Sequence, residues 1–133
     1  MIPSMNAQLD LIGIVVEDMG RALAFYRELG LDVPEEGDGQ PHVETTLRGG
    51  LRLAWDTRET IQSFDPDWAP ASGGPQIGLA FLVDSPADVD AVFGRLVSLG
   101  YHGHKAPFDA PWGQRYALVH DPDGNSVDLF APH

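Results

Sequence analysis

At 133 residues, 43% hydrophobic and 21% charged, the chain has the make-up of one globular domain that buries about two thirds of the surface its extended form exposes. A formal net charge of -12, with only 8 Lys and Arg scattered along the sequence, excludes a phosphate-reading surface and adhesion to an anionic membrane, so neither nucleic acid nor membrane is an expected partner. The lack of cysteine excludes a disulfide framework, a thiolate nucleophile and Cys-type metal ligands.

Cysteine-free composition suits a cytoplasmic protein. Residues 1–7 lack a cationic n-region and a long apolar stretch, and no apolar run reaches the ~18 residues that span a bilayer, so neither export nor membrane insertion is expected. Where the acidic surface steers a ligand, a cationic small molecule fits it; solubility is the plainer reading.

Residues 9–16 form a nearly continuous apolar run rich in β-branched side chains, as expected of a strand covered on both faces. Asp18 stands as an N-cap, Met19, Ala22, Leu23, Phe25, Tyr26 and Leu29 fall at helical spacing, and Gly30 supplies the stop. Residues 31–33 begin a second strand, interrupted by a loop over 34–41 in which Glu35, Glu36 and Asp38 read as solvated turn residues. Residues 42–47 and 51–55, separated by Gly49 and Gly50, complete a hairpin and with it a βαβββ unit over about 8–56.

Periodicity lapses in the linker 57–75, which holds Pro66, Pro70, Gly73 and Gly74. A connection of that length binds something, covers something or lacks order. Its Phe64 and Trp68 are expected to settle over a cleft or against a second subunit, because exposed aromatic rings are costly.

The pattern then begins again. Residues 77–83 read as a strand, and Ser85-Pro86 as an N-cap followed by proline in the first turn. Val89, Val92, Phe93, Leu96 and Leu99 form an apolar helical stripe that ends at Gly100. A strand candidate near 102–106 precedes a loop with Phe108 and Trp112. Strands at 116–119 and 126–130 follow, joined by Asp121-Pro-Asp-Gly-Asn125, where proline presets φ and glycine supplies a positive φ. The second βαβββ unit spans about 76–131. Alternation puts Asp128 on one face with Ser126 and Phe130; the pattern by itself favours water around that carboxylate, with a cavity as the alternative.

Residues 11–18 can be laid on 78–85, and 50–54 on 124–128. Two such units, neither able to close a sheet alone, are expected to pair around a shared concave surface. The expected fold is therefore α+β, with two βαβββ modules forming a curved mixed sheet around a cleft.

With residues 9–33 and 113–130 in that order and a repeat between them, the chain resembles the vicinal oxygen chelate superfamily. That superfamily includes glyoxalase I, extradiol dioxygenases, fosfomycin-modifying enzymes and bleomycin-binding resistance proteins, and the metal-free antibiotic-binding resistance proteins are the nearest branch. The likeness covers nearly the whole chain and is specific for fold, but one fold hosts many activities.

For metal-dependent members the resemblance implies ligands early in the first strand and late in the last strand of each half. Those places hold Leu11, Ala54, Gly78 and Asp128 here. A catalytic dication needs about three His, Glu, Asp or Cys ligands, and one aspartate falls short, so no metal and no other cofactor is expected. Among the histidines, His102 and His104 lie two apart on a presumed strand, and no third partner is visible in the sequence; His42, His120 and His133 are isolated, with His120 beside the hairpin turn.

No G-x-S-x-G elbow, P-loop or dinucleotide fingerprint occurs, so no catalytic residue is nominated. Glu44 and Asp128 would form an acid-base pair only where the fold brings them together.

The remaining expectation is an apolar cleft for a hydrophobic or aromatic small molecule. Phe64, Trp68, Phe108, Trp112, Tyr116 and Phe130 are its candidate walls, and Asp128, His120 and Arg52 its candidate polar groups. Core packing is the alternative for Tyr116 and Phe130, and a structural Asp128–Arg52 pair for the two charges. Trp55 alternates away from Ala54 and belongs under the helices. The function expected is metal-independent sequestration of an antibiotic or other natural product. A metal-free enzyme of natural-product metabolism using His120 and Asp128, and a regulatory module with a filled cleft, are the alternatives. The resemblance implies a homodimer with clefts built from both chains.

Overall fold

Helices begin where side chains can satisfy the orphan amides of a first turn, and both caps read from the sequence do so. Asp18 accepts from the Arg21 amide at 2.9 Å and Ser85 from the Asp88 amide at 3.2 Å. The computed structural model describes residues 7–133. Its elements are β1 (Leu11–Val16), α1 (Met19–Glu28), a 3-10 turn (Glu35–Gly39), β2 (His42–Thr46), β3 (Arg52–Thr57), α2 (Arg58–Gln62), β4 (Gly78–Leu82), α3 (Pro86–Ser98), β5 (His102–Ala110), β6 (Gln114–His120) and β7 (Ser126–Pro132).

These strands form a three-stranded sheet, β1-β3-β2, and a four-stranded sheet, β4-β7-β6-β5. In each module the first strand runs parallel to the last, and the register repeats: Gly13 lies opposite Ala54, and Ala80 opposite Asp128. The α+β architecture and the internal repeat are both present.

Apolar stripes from both modules meet in one core. Ala22, Leu23, Phe25 and Tyr26 of α1 are buried together with Trp55, Leu96, Val119 and Leu129. Phe25 meets Tyr101 edge-on at 4.9 Å, and the Tyr26 hydroxyl donates to Asp121 at 2.6 Å, tying α1 to the second module. Trp55 is fully buried, 5.4 Å from Tyr26, and its neighbours Leu53 and Ala54 on β3 are buried as well, so burial does not alternate there.

Three segments differ from the sequence reading. Residues 31–33 form no strand, because their carbonyls are taken by other donors: the Leu31 carbonyl accepts from the Val33 amide at 3.1 Å, that of Asp32 from the Thr45 hydroxyl at 3.2 Å, and that of Val33 from the Arg27 guanidinium at 2.6 Å, which also donates to the Pro34 carbonyl at 2.7 Å and pairs with Asp38 at 2.8 Å. The first sheet thus has three strands where the second has four. The linker opens with a short helix, α2, capped by Thr57. Finally, β5 runs on to Ala110 through two register shifts, so Phe108 lies on a strand and not in a loop. No helix among the described residues is long and apolar enough to cross a membrane.

Candidate functional site

Two features of the fold bear on ligand binding, a cavity and an open sheet face. One is a cavity of about 490 Å³ at the junction of the modules, bounded by β1, the linker and the turn after β6. Gly13, Trp68 and Leu79 contribute apolar surface to it, and Arg58, Asp123 and Asn125 polar groups. One oxygen of Asp123 accepts from the Glu17 amide at 3.0 Å, while the other is buried without a partner. Burial holds this carboxyl above the usual carboxylate range.

The second is the face of the four-stranded sheet turned away from α3. Alternation sends Ala117, Val119, Val127 and Leu129 into the core. Tyr116, Leu118 and His120 on β6, and Ser126, Asp128 and Phe130 on β7, therefore emerge on the opposite side, half-buried.

Four predicted aromatic residues meet on this face. Trp112 is 5.5 Å from Tyr116 and 6.3 Å from Phe108, both edge-on, and Tyr116 stacks with Phe130 at 6.3 Å. The Trp112 indole N–H donates to Gln114 at 2.8 Å, so the ring is held in place although 59% exposed. Asp128 accepts from the Tyr116 hydroxyl and from Ser126 at 3.2 Å. It is a positioned acceptor beneath the rings, not the freely solvated carboxylate that alternation alone favours. Burial first, and then the Asp128 charge and hydrogen bond, push the Tyr116 hydroxyl up to about 12.

The other predicted residues are dispersed. Trp68 lines the cavity, whereas Phe64 follows α2 and stands 72% exposed, apart from the cavity and from the Trp112 group. Arg52 lies on the three-stranded sheet, where it pairs with Asp10 and with Glu44 at 2.9 Å, and not with Asp128. His42 is held between Asp56 at 2.6 Å and Glu44 at 2.9 Å, and these hydrogen bonds raise its pKa. His42, and next Arg52, hold Glu44 below the usual carboxylate range. Glu44 is committed there and forms no acid-base pair with Asp128.

The positions where the resemblance implies metal ligands do not suit a dication. Leu11, Ala54 and Gly78 offer no lone pair, and Asp128 is engaged by Tyr116 and Ser126. Elsewhere the structure supplies the histidine partner that is invisible in the sequence. His120 lies directly opposite His102 in the β5–β6 ladder, and its ring stacks on His104 with centroids 4.5 Å apart. Pairing of neighbouring hairpin strands hints at the first contact; the second depends on a bulge at His104 with no sequence signature. Arg58, Asp123 and Asn125 also escape a sequence reading, because only the chain fold brings them to one cavity.

Comparison with known proteins places this geometry in a wider group. A glyoxalase/bleomycin resistance protein/dioxygenase family enzyme from Burkholderia phytofirmans PsJN is similar over 96% of this chain and 100% of its own, at 20% identity and a TM-score of 0.81. A glyoxalase-related enzyme from Fulvimarina pelagi is similar over 93% of this chain and 87% of its own, at 23% identity and a TM-score of 0.77. A lactoylglutathione lyase from Agrobacterium tumefaciens is similar over 96% of this chain and 95% of its own, at 24% identity and a TM-score of 0.67. These likenesses concern the fold. No curated protein matches the sequence significantly. The family model of the Glyoxalase/Bleomycin resistance protein/Dioxygenase superfamily matches residues 8–129, and the chain belongs to that superfamily.

Proposed function

We propose that this chain binds and sequesters a hydrophobic or aromatic small molecule, of the kind represented by antibiotics and other natural products, without a metal at the positions where metal-dependent relatives hold one. The observation that carries this reading is the aromatic group of Phe108, Trp112, Tyr116 and Phe130 on an uncovered sheet face. Aromatic pairs in such geometries contribute about 0.5–1.5 kcal/mol beyond the area they bury, and a flat guest extends the same arrangement. Asp128 supplies an oriented acceptor for a polar or cationic group on that guest.

The hydrogen bonds from Tyr116 and Ser126 occupy Asp128 and favour binding over acid-base catalysis. A cavity of about 490 Å³ speaks against a cleft filled by its own side chains. The reading includes a homodimer whose ligand clefts are built from both chains at the interface, and the cysteine-free composition accords with a cytoplasmic setting.

Titration of metal-stripped protein with a panel of aromatic and cationic natural products, followed by tryptophan fluorescence, tests the proposal. Saturable binding is expected, weakened about tenfold by Trp112→Ala, a loss of about 1.4 kcal/mol. A panel in which nothing binds more tightly than about 1 mM overturns it.

A further inference from the structure

We propose that His102, His104 and His120 form a binding site for a transition-metal dication of the zinc or nickel class, built on the edge of the four-stranded sheet. This site goes beyond the small-molecule reading and requires no organic ligand. It is also distinct from the places implied by family resemblance, since those lie on the first and last strands of each module and this one lies on β5 and β6.

The backbone explains how the rings converge. In the antiparallel β5–β6 ladder His102 faces His120 directly, and Gly103 faces Val119. The next pair is Lys105 with Leu118, so two steps along β5 are matched by one along β6 and His104 is the additional residue. A bulge of this kind re-aims a side chain. His104 accordingly stacks on His120 with an interplanar angle of 18°, while His102 stands 4.9 Å from His120 and 5.7 Å from His104. One ring nitrogen from each residue lies within 4.8 Å of the other two.

A tetrahedral ion with metal–nitrogen bonds of about 2.0–2.1 Å needs nitrogens about 3.3 Å apart, so the rings must move slightly inward. Their setting permits this. His102 and His104 are exposed and His120 half-buried, so the adjustment is one of side-chain rotation. The backbone beneath them is constrained: a Cβ at Gly103 would lie 2.7 Å from Phe93 and 2.8 Å from Val97, so only glycine lets β5 sit this close to α3. A fixed backbone with adjustable rings suits a site that takes up its ion after folding.

The donor chemistry selects the ion. Three imidazoles without a carboxylate or thiolate favour zinc, nickel, copper or cobalt over calcium or magnesium, which prefer oxygen. Whereas both ring nitrogens of His42 are engaged by carboxylates, among the described residues no protein partner hydrogen-bonds the rings of these three. Three ligands from one surface leave an outward coordination position open to water or an exogenous group. The net charge of -12 raises the local concentration of any dication.

Isothermal titration of the metal-stripped full chain with zinc chloride and nickel chloride at about pH 7.5, with no organic compound present, tests the site. One ion per chain is expected, with a Kd of about 10 μM or tighter. His104→Gln and His102→Gln should each weaken binding at least tenfold with unchanged thermal melts, His42→Gln should leave it unaltered, and calcium chloride should give no heat. Absence of saturable binding below about 1 mM overturns the proposal, as does binding that survives the His102→Gln/His104→Gln double change. Because no organic ligand enters this measurement, its failure leaves the small-molecule reading standing, and the converse also holds.

Discussion

Asp121 shows how much one buried carboxylate can organise. It is 4% exposed and accepts from the Tyr26 hydroxyl, the Asp123 amide, and both the amide and side chain of Asn125. Burial of a charge is tolerated only with such compensation. Burial, and next the Asp121 charge, hold the Tyr26 hydroxyl far above its ordinary range. Asp121→Ala strands that hydroxyl and opens the turn, so a loss of about 3 kcal/mol in urea unfolding is expected. Tyr26→Phe leaves the carboxylate its other donors and should cost only about 1 kcal/mol. His42 gives a residue-scale prediction in pH. Hydrogen bonds donated by its protonated ring to Glu44 and Asp56 raise its folded pKa, so its contribution is complete below the unfolded value of about 6.5 and disappears as pH rises through the folded one. The Tm of the native protein should exceed that of His42→Asn at about pH 5.5, and the difference should shrink as pH rises above the unfolded value.

Among the elements, α3 and β5 make the most demanding contact. Ser85 and Pro86 start the helix, its stripe lands on Val119 and Leu129, and Gly103 lets Phe93 and Val97 approach the strand. Gly103→Ala should destabilise the protein by about 1–3 kcal/mol through overpacking. Adding Val97→Ala should recover part of that loss, a coupling that a double-mutant cycle in urea measures. Elements were legible wherever their signal was local. Helix stripes, caps and the turn between β6 and β7 each depend on residues a few positions apart. Residues 31–33 look strand-like in sequence, but an apolar pattern does not show that the Val33 amide, Thr45 and Arg27 take their carbonyls. The end of β5 was missed because a bulge interrupts the alternation by which strands are recognised.

At the scale of the whole molecule, uncovered apolar surface is the outstanding feature. Leu9, Ile77 and Leu82 are 76%, 79% and 65% exposed. Large exposed apolar side chains near an uncovered sheet face accord with the proposed homodimer. Sedimentation should then give twice the mass of one chain, and Leu82→Glu should shift the equilibrium toward the single chain. A concentration-independent single-chain mass for the unaltered protein would remove the dimer from the proposal.

The sequence by itself determined the repeated modules, the capped helices, the turn from Asp121 to Asn125, and the lack of a lone pair at Leu11, Ala54 and Gly78, because each is a matter of residue identity or short-range period. Tertiary structure alone decided that Phe108, Trp112, Tyr116 and Phe130 share one face, that Arg52 meets Glu44 and not Asp128, and that His120 joins His102 and His104. The physical reason is register. Which side chains meet across strands depends on pairing over long sequence separations, and a single extra residue such as His104 redirects that pairing without leaving a periodic trace in the sequence.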